Sequence, residues 1–102
     1  MKKYIFILLF ICFAYPLGAG VIDLSCSLNG KKLYGRGKVV DVFADFRVQK
    51  VSAFPDLKVK ETPFPQSCGE WQFVDAFPDF TIEYVDAFPD FTIEYVDAFP
   101  GI

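Results

Sequence analysis

The chain has 102 residues, with 10 Lys or Arg, 13 Asp or Glu and no His. That length suits one small domain, and the missing histidine removes the commonest general base and metal ligand. After residue 20 there are eight bases and thirteen acids, a balance that disfavours a nucleic-acid partner.

Residues 1–20 read as a secretory signal peptide. Lys2 and Lys3 give a positive start, residues 4–15 are apolar, and residues 16–20 bring Pro, Gly and Ala. The apolar run is about twelve residues, short of the roughly 20 that span a bilayer. Cleavage near Gly20 is therefore expected rather than an anchor, with the mature chain secreted or periplasmic and free of the membrane. Cys12 leaves with the signal, and Cys26 and Cys68 remain. In an oxidising compartment the simplest expectation is one disulfide. Free thiols are the alternative, and a metal site lacks a third cysteine or any histidine.

Residues 21–36 are expected as an N-terminal strand and hairpin segment, with strands 23–28 and 31–34 about the Asn29-Gly30 turn. Gly35-Arg36-Gly37 reads as a flexible corner. A phosphate loop would need a following helix and a Lys-Ser/Thr pair.

The rest, residues 37–102, is organised by repetition. Residues 74–84 and 85–95 are both VDAFPDFTIEY, and residues 96–100 copy the first five positions. Weaker copies are VDVFADFRVQK at 40–50 and VSAFPDLKVKE at 51–61, followed by an irregular unit, one residue longer, at 62–73. Positions 7 to 10 alternate apolar and polar, the rhythm of a strand with one buried face. The recurring proline argues against helices. The expected shared interior is position 1 (Val40, Val51, Val74, Val85, Val96), position 4 (Phe43, Phe54, Phe77, Phe88, Phe99) and positions 7 and 9 (Phe80, Ile82, Phe91, Ile93). A bulge after position 9 would point both Ile82 and Val85 inward. Asp at position 6 is expected to cap its own turn. The pattern predicts a β-solenoid of about six units, with roughly 22 residues per turn and Phe stacked on Phe.

The charge divides with the repeats. Residues 21–60 hold eight bases and four acids; residues 61–102 hold nine acids and no base. The acidic half is rich in Phe, Ile and Val, so the two halves are expected to lie against one another, basic units beside acidic ones.

The succession GKVVDVFADFRV, VSAFPDLKV and CGEWQFVDAFPDFTIEYVDAFPDFTI resembles the 7(1) septoil knot domain family, a group of small bacterial proteins. The resemblance covers residues 37–102 and rests on the Phe-Pro/Ala-Asp repeat and on Gly69-Glu70-Trp71. It implies an all-β, double-wound β-helix whose halves coil around each other into a deep seven-crossing torus knot. It implies no established activity.

Candidate chemistry is sparse. Asp41/Asp45, Asp75/Asp79, Asp86/Asp90 and Asp97 form a ladder that suits turn capping better than a glycosidase pair or calcium. Tyr84, Tyr95, Thr81 and Thr92 are expected on one repeated face that a sugar or protein could meet. Trp71 is expected against the disulfide. No nucleophile has a base or elbow motif. The expectation is a monomeric, non-enzymatic structural or binding protein, needing no cofactor, whose partner is a protein or glycan surface. The alternatives are a polysaccharide hydrolase using an Asp pair, and an inhibitor or immunity-type protein.

Overall fold

The computed structural model describes residues 21–102, so the proposed signal peptide lies outside the described residues. Among them there are eight strands and no helix. β1 (Ser27–Leu28) and β2 (Lys31–Lys32) pair antiparallel. Asn29 and Gly30 between them both have positive φ, the backbone that Asn-Gly supplies at little cost. The hairpin is shorter than its sequence suggests.

The remaining strands are β3 (Gly35–Val39), β4 (Phe46–Lys50), β5 (Leu57–Glu61), β6 (Glu70–Phe73), β7 (Phe80–Tyr84) and β8 (Phe91–Tyr95). They close into a parallel barrel in the order β3-β6-β5-β8-β4-β7. Every ladder in it joins β3, β4 or β5 to β6, β7 or β8. The C-terminal half is thus wound between the strands of the N-terminal half, which is the double-wound architecture. Each unit advances two places round a ring of six, except that β6 lies directly beside β5. About three units therefore complete a circuit, not two. The coil is wider because strands of the other half fill the alternate places.

Register is stepped by two residues at each interface. Phe46 pairs with Ile82, Val48 with Phe91, and Leu57 with Ile93. A two-residue step preserves which side chains face inward. It also lets one strand spend its first half on one neighbour and its second half on the other. Charges follow the same ladder: Arg47 lies beside Glu83 and Lys58 beside Glu94, so basic strands do run beside acidic ones.

The interior is filled by unit positions 7 and 9. Phe46, Val48, Leu57, Val59, Phe80, Ile82, Phe91 and Ile93 are buried, together with Trp71. Burying side chains of this size contributes about 1.5–3 kcal/mol each. The rings meet edge to face, Trp71 with Phe80 at 5.1 Å and Phe46 with Phe91 at 5.6 Å. Gly35-Arg36-Gly37 is a barrel strand, not a flexible corner. A Cβ on Gly37 would stand 3.0 Å from the Phe80 ring, so β3 yields its own interior volume to that ring. Trp71 is buried in the cluster that also holds Cys26, and its indole N–H donates to the Leu33 carbonyl at 3.0 Å.

Two sets of expected core residues are corrected. Phe43, Phe54, Phe77, Phe88 and Phe99 are 83% to 98% exposed. Val40, Val51, Val74, Val85 and Val96 are half-buried, and no bulge turns Val85 inward. Both sets lie on connections outside an interior that positions 7 and 9 already fill. Position 1 continues the ladder by one bond, as when the Val40 N–H donates to the Ile82 carbonyl at 2.8 Å. The chain then leaves the barrel.

It leaves in order to step over a strand. β7 lies between β3 and β4, so residues 40–45 pass across the outside of β7. Likewise residues 51–56 cross β8, residues 74–79 cross β3, and residues 85–90 cross β4. The Gln49 side chain of β4 reaches the carbonyl of Asp86 above it at 3.2 Å. Position 6 locks each crossover down. Asp79 accepts from the Arg36 N–H and Asp90 from the Arg47 N–H, both at 2.8 Å. Asp45 and Thr81 exchange bonds, as do Asp56 and Thr92. These aspartates cap the other half of the chain, not their own turns. The steeply stepped barrel leaves that strand N–H free on the crossover side, and the carboxylate takes it.

Cys26 and Cys68 are bridged, with Cα atoms 5.7 Å apart. The bridge ties the N-terminal segment to residues 62–69, the connection that crosses no barrel strand. Closing a loop of this length is worth about 4 kcal/mol by chain entropy. Ile22, Cys26 and Leu33 join the same buried cluster as the barrel and cover the end where the strands begin.

Candidate functional site

No polar or charged side chain is fully buried among the described residues. No group of three or more Cys, Asp or Glu among them is placed to hold a metal ion. The ladder aspartates at position 6 are engaged with backbone amides, and those at position 2 are exposed. What remains is surface, and two features of it display aromatic side chains.

The first is on the crossovers. Phe43, Phe54, Phe77, Phe88 and Phe99 have φ between +53° and +58°. That left-handed backbone costs an L-residue with a Cβ roughly 1–2 kcal/mol. Asn, Asp or Gly is the usual occupant, and here it is phenylalanine each time. The tips follow the barrel order, so Phe77, Phe43, Phe88 and Phe54 succeed one another over β3, β7, β4 and β8. Phe99 continues the series beside β5, where Gly101 exchanges backbone bonds with Lys58 at 2.9 Å. The result is a belt of apolar studs round the barrel. Asp41, Asp75, Asp86 and Asp97, each two residues before a stud, are exposed beside it. Sequence reasoning placed these rings inside because periodic Phe usually marks a core. Their neighbours, Pro or Ala after each and then Asp in four of the five, make a turn sequence, and the ring at its tip faces out.

The second is the mouth where the parallel strands end. Its rim takes the last residue of every barrel strand, in ring order Val39, Tyr84, Lys50, Tyr95, Glu61 and Phe73. These residues continue the inward phase of positions 7 and 9. Tyr84 and Tyr95 share a 2.6 Å hydrogen bond between hydroxyls. The Lys50 ammonium lies 4.6 Å from the centre of the Tyr84 ring. Phe73 and Tyr95 stand 6.4 Å apart, tilted by 60°, with β5 and its Glu61 between their strands. An open cavity of about 270 Å³ lies among Val39, Glu61, Phe73, Tyr84 and Tyr95. Burial, then the Tyr84 hydroxyl and the Glu61 charge, push the Tyr95 phenol well above its ordinary range, so it stays protonated.

Tyr and Thr therefore do not share a face. Thr81 and Thr92 point outward beneath crossovers, while Tyr84 and Tyr95 point into the mouth. Positions 8 and 11 differ by three, and an odd difference changes face in a strand. Position 11 is Tyr, Lys or Glu from unit to unit, and only the closed ring brings Lys50, Glu61 and Phe73 to the tyrosines.

The sequence matches the family described as the 7(1) septoil knot domain over residues 30–102. No curated protein matches the chain.

Proposed function

The chain belongs to the 7(1) septoil knot domain family, and from that premise we propose a non-enzymatic binding protein of the cell exterior or periplasm. Its contact surface is the belt of phenylalanines, and its partner is a protein with apolar sockets rimmed by basic residues. The belt's exposure in a costly backbone conformation carries the reading. A fold under no other demand would place Asn or Gly there and lose nothing in packing. The flanking carboxylates supply charge complementarity, which speeds encounter more than it deepens affinity.

The disulfide supports an oxidising compartment. Halves wound through one another, and the knot that the family name describes, suit a molecule that must survive proteases outside the cell. A hydrolase would need two carboxylates free to act on one bond. Asp45, Asp56, Asp79 and Asp90 already accept backbone amides, which weighs against that reading.

The test is capture from culture fluid and envelope extract, with the oxidised protein and a variant carrying Asn at all five belt positions. The expected result is a partner held by the parent and lost by the variant, in salt-sensitive fashion. Equal capture by both, or release of soluble sugar from a polysaccharide, overturns the reading.

A further inference from the structure

We propose that the barrel mouth is a binding site for a small organic cation, of the substituted-ammonium class. It is a different surface from the belt, and its argument does not depend on the belt. Aromatic faces attract such cations through the ring quadrupole, most strongly where water is partly excluded. Three aromatic residues, Phe73, Tyr84 and Tyr95, line this one cavity. One ring face already carries a cation, since Lys50 lies over Tyr84. The mouth therefore accepts positive charge on its aromatic wall.

The unoccupied side is the Phe73–Tyr95 corner. Its two rings are tilted by 60°, giving two walls of a cage. Glu61 supplies the negative charge between them, and the ion pairs among the described residues are Lys31–Asp45 and Arg36–Asp79, so Glu61 makes none. Lys60 and Asp97 stand just outside, in an adjoining cavity that shares Glu61 and Tyr95, and offset one another. The Tyr84–Tyr95 hydrogen bond holds the rings in place before a ligand arrives. A pocket of about 270 Å³ holds one tetraalkylammonium head, not a folded peptide. Lys50 holds like charge on the Tyr84 ring at the same rim, so its removal favours a second cation.

The experiment is a titration of the oxidised protein with tetramethylammonium chloride, followed by amide and aromatic NMR signals, against sodium chloride at equal ionic strength. Saturable shifts are expected at Phe73, Tyr84, Tyr95 and Glu61, with a dissociation constant on the order of 1 mM. Glu61→Gln should weaken binding about fivefold, the scale of one exposed ion pair, and Lys50→Gln should tighten it. Both residues are exposed, so both variants keep the fold, and unchanged amide spectra away from the mouth verify that. Shifts that match sodium chloride overturn the proposal. So do saturable shifts unaltered by Glu61→Gln, or shifts confined to the phenylalanine belt.

Discussion

Replacing Phe43 by Asn should stabilise the protein. Phe43 is 98% exposed and has φ +57°. Its ring has almost no packing to lose, so the folded state gives up little burial. The left-handed backbone costs an ordinary L-residue roughly 1–2 kcal/mol, and Asn recovers part of this because its short amide bonds locally in that region. The next residue is Ala44, so no proline complicates the comparison. A gain of about 0.5–1 kcal/mol follows, half or less of the strain. In a domain of this size that raises Tm by roughly 2–8 °C. Thermal and urea unfolding of the oxidised protein would measure it. The same exchange at all five studs should raise stability further, close to additively, because the tips are separate. A loss of more than about 1 kcal/mol at Phe43, the size of a typical destabilising substitution, would refute the reasoning. It would mean that the ring packs on the barrel and that the belt is part of the fold.

Other substitutions probe the locks and the ends. Asp56→Ala leaves the Thr92 N–H without its acceptor and should cost about 1–2 kcal/mol, with Asp56→Asn costing less; urea midpoints with unchanged m-values would show it. Gly69→Ala should be severe. Its φ is +83°, and a Cβ there would collide with the Lys58 carbonyl and stand 2.7 Å from the Gly101 nitrogen; poor secretion or a large fall in Tm is the expected outcome. Glu70 is held below the usual carboxylate range by the Gln66 and Ser67 amides. A depressed acid stabilises above its unfolded pKa, and that contribution fades as pH falls through the folded value. Glu70→Gln should therefore flatten the fall in stability below about pH 4.3, seen in Tm measured against pH.

Much of the fold was legible because the strands obey a two-residue rhythm. Phe80-Thr81-Ile82-Glu83 announces its buried and exposed faces directly. The disulfide was legible in the pair of cysteines, Cys26 and Cys68, that residues 21–102 hold. The errors came from the connections. A phenylalanine at position 4 has the same period as one at position 7, and period alone does not distinguish a tip from an interior. Backbone sign does, and the flanking Ala, Pro and Asp carried that sign. Gly35 and Gly37 misled in the opposite sense. They look like a loop, but Gly37 is there to admit the Phe80 ring. The belt and the mouth are both products of closure, since each gathers residues from units far apart in sequence. No single unit contains either.

The pairing rule bears on how the molecule is made. Strands β3, β4 and β5 have no partners among themselves, so the first half of a nascent chain has only the short β1–β2 hairpin to form. Order must wait until residues beyond Glu70 arrive, and most of it until β8. High mean separation between contacting residues slows folding, and here the barrel closes only once both halves of the chain are present to pair.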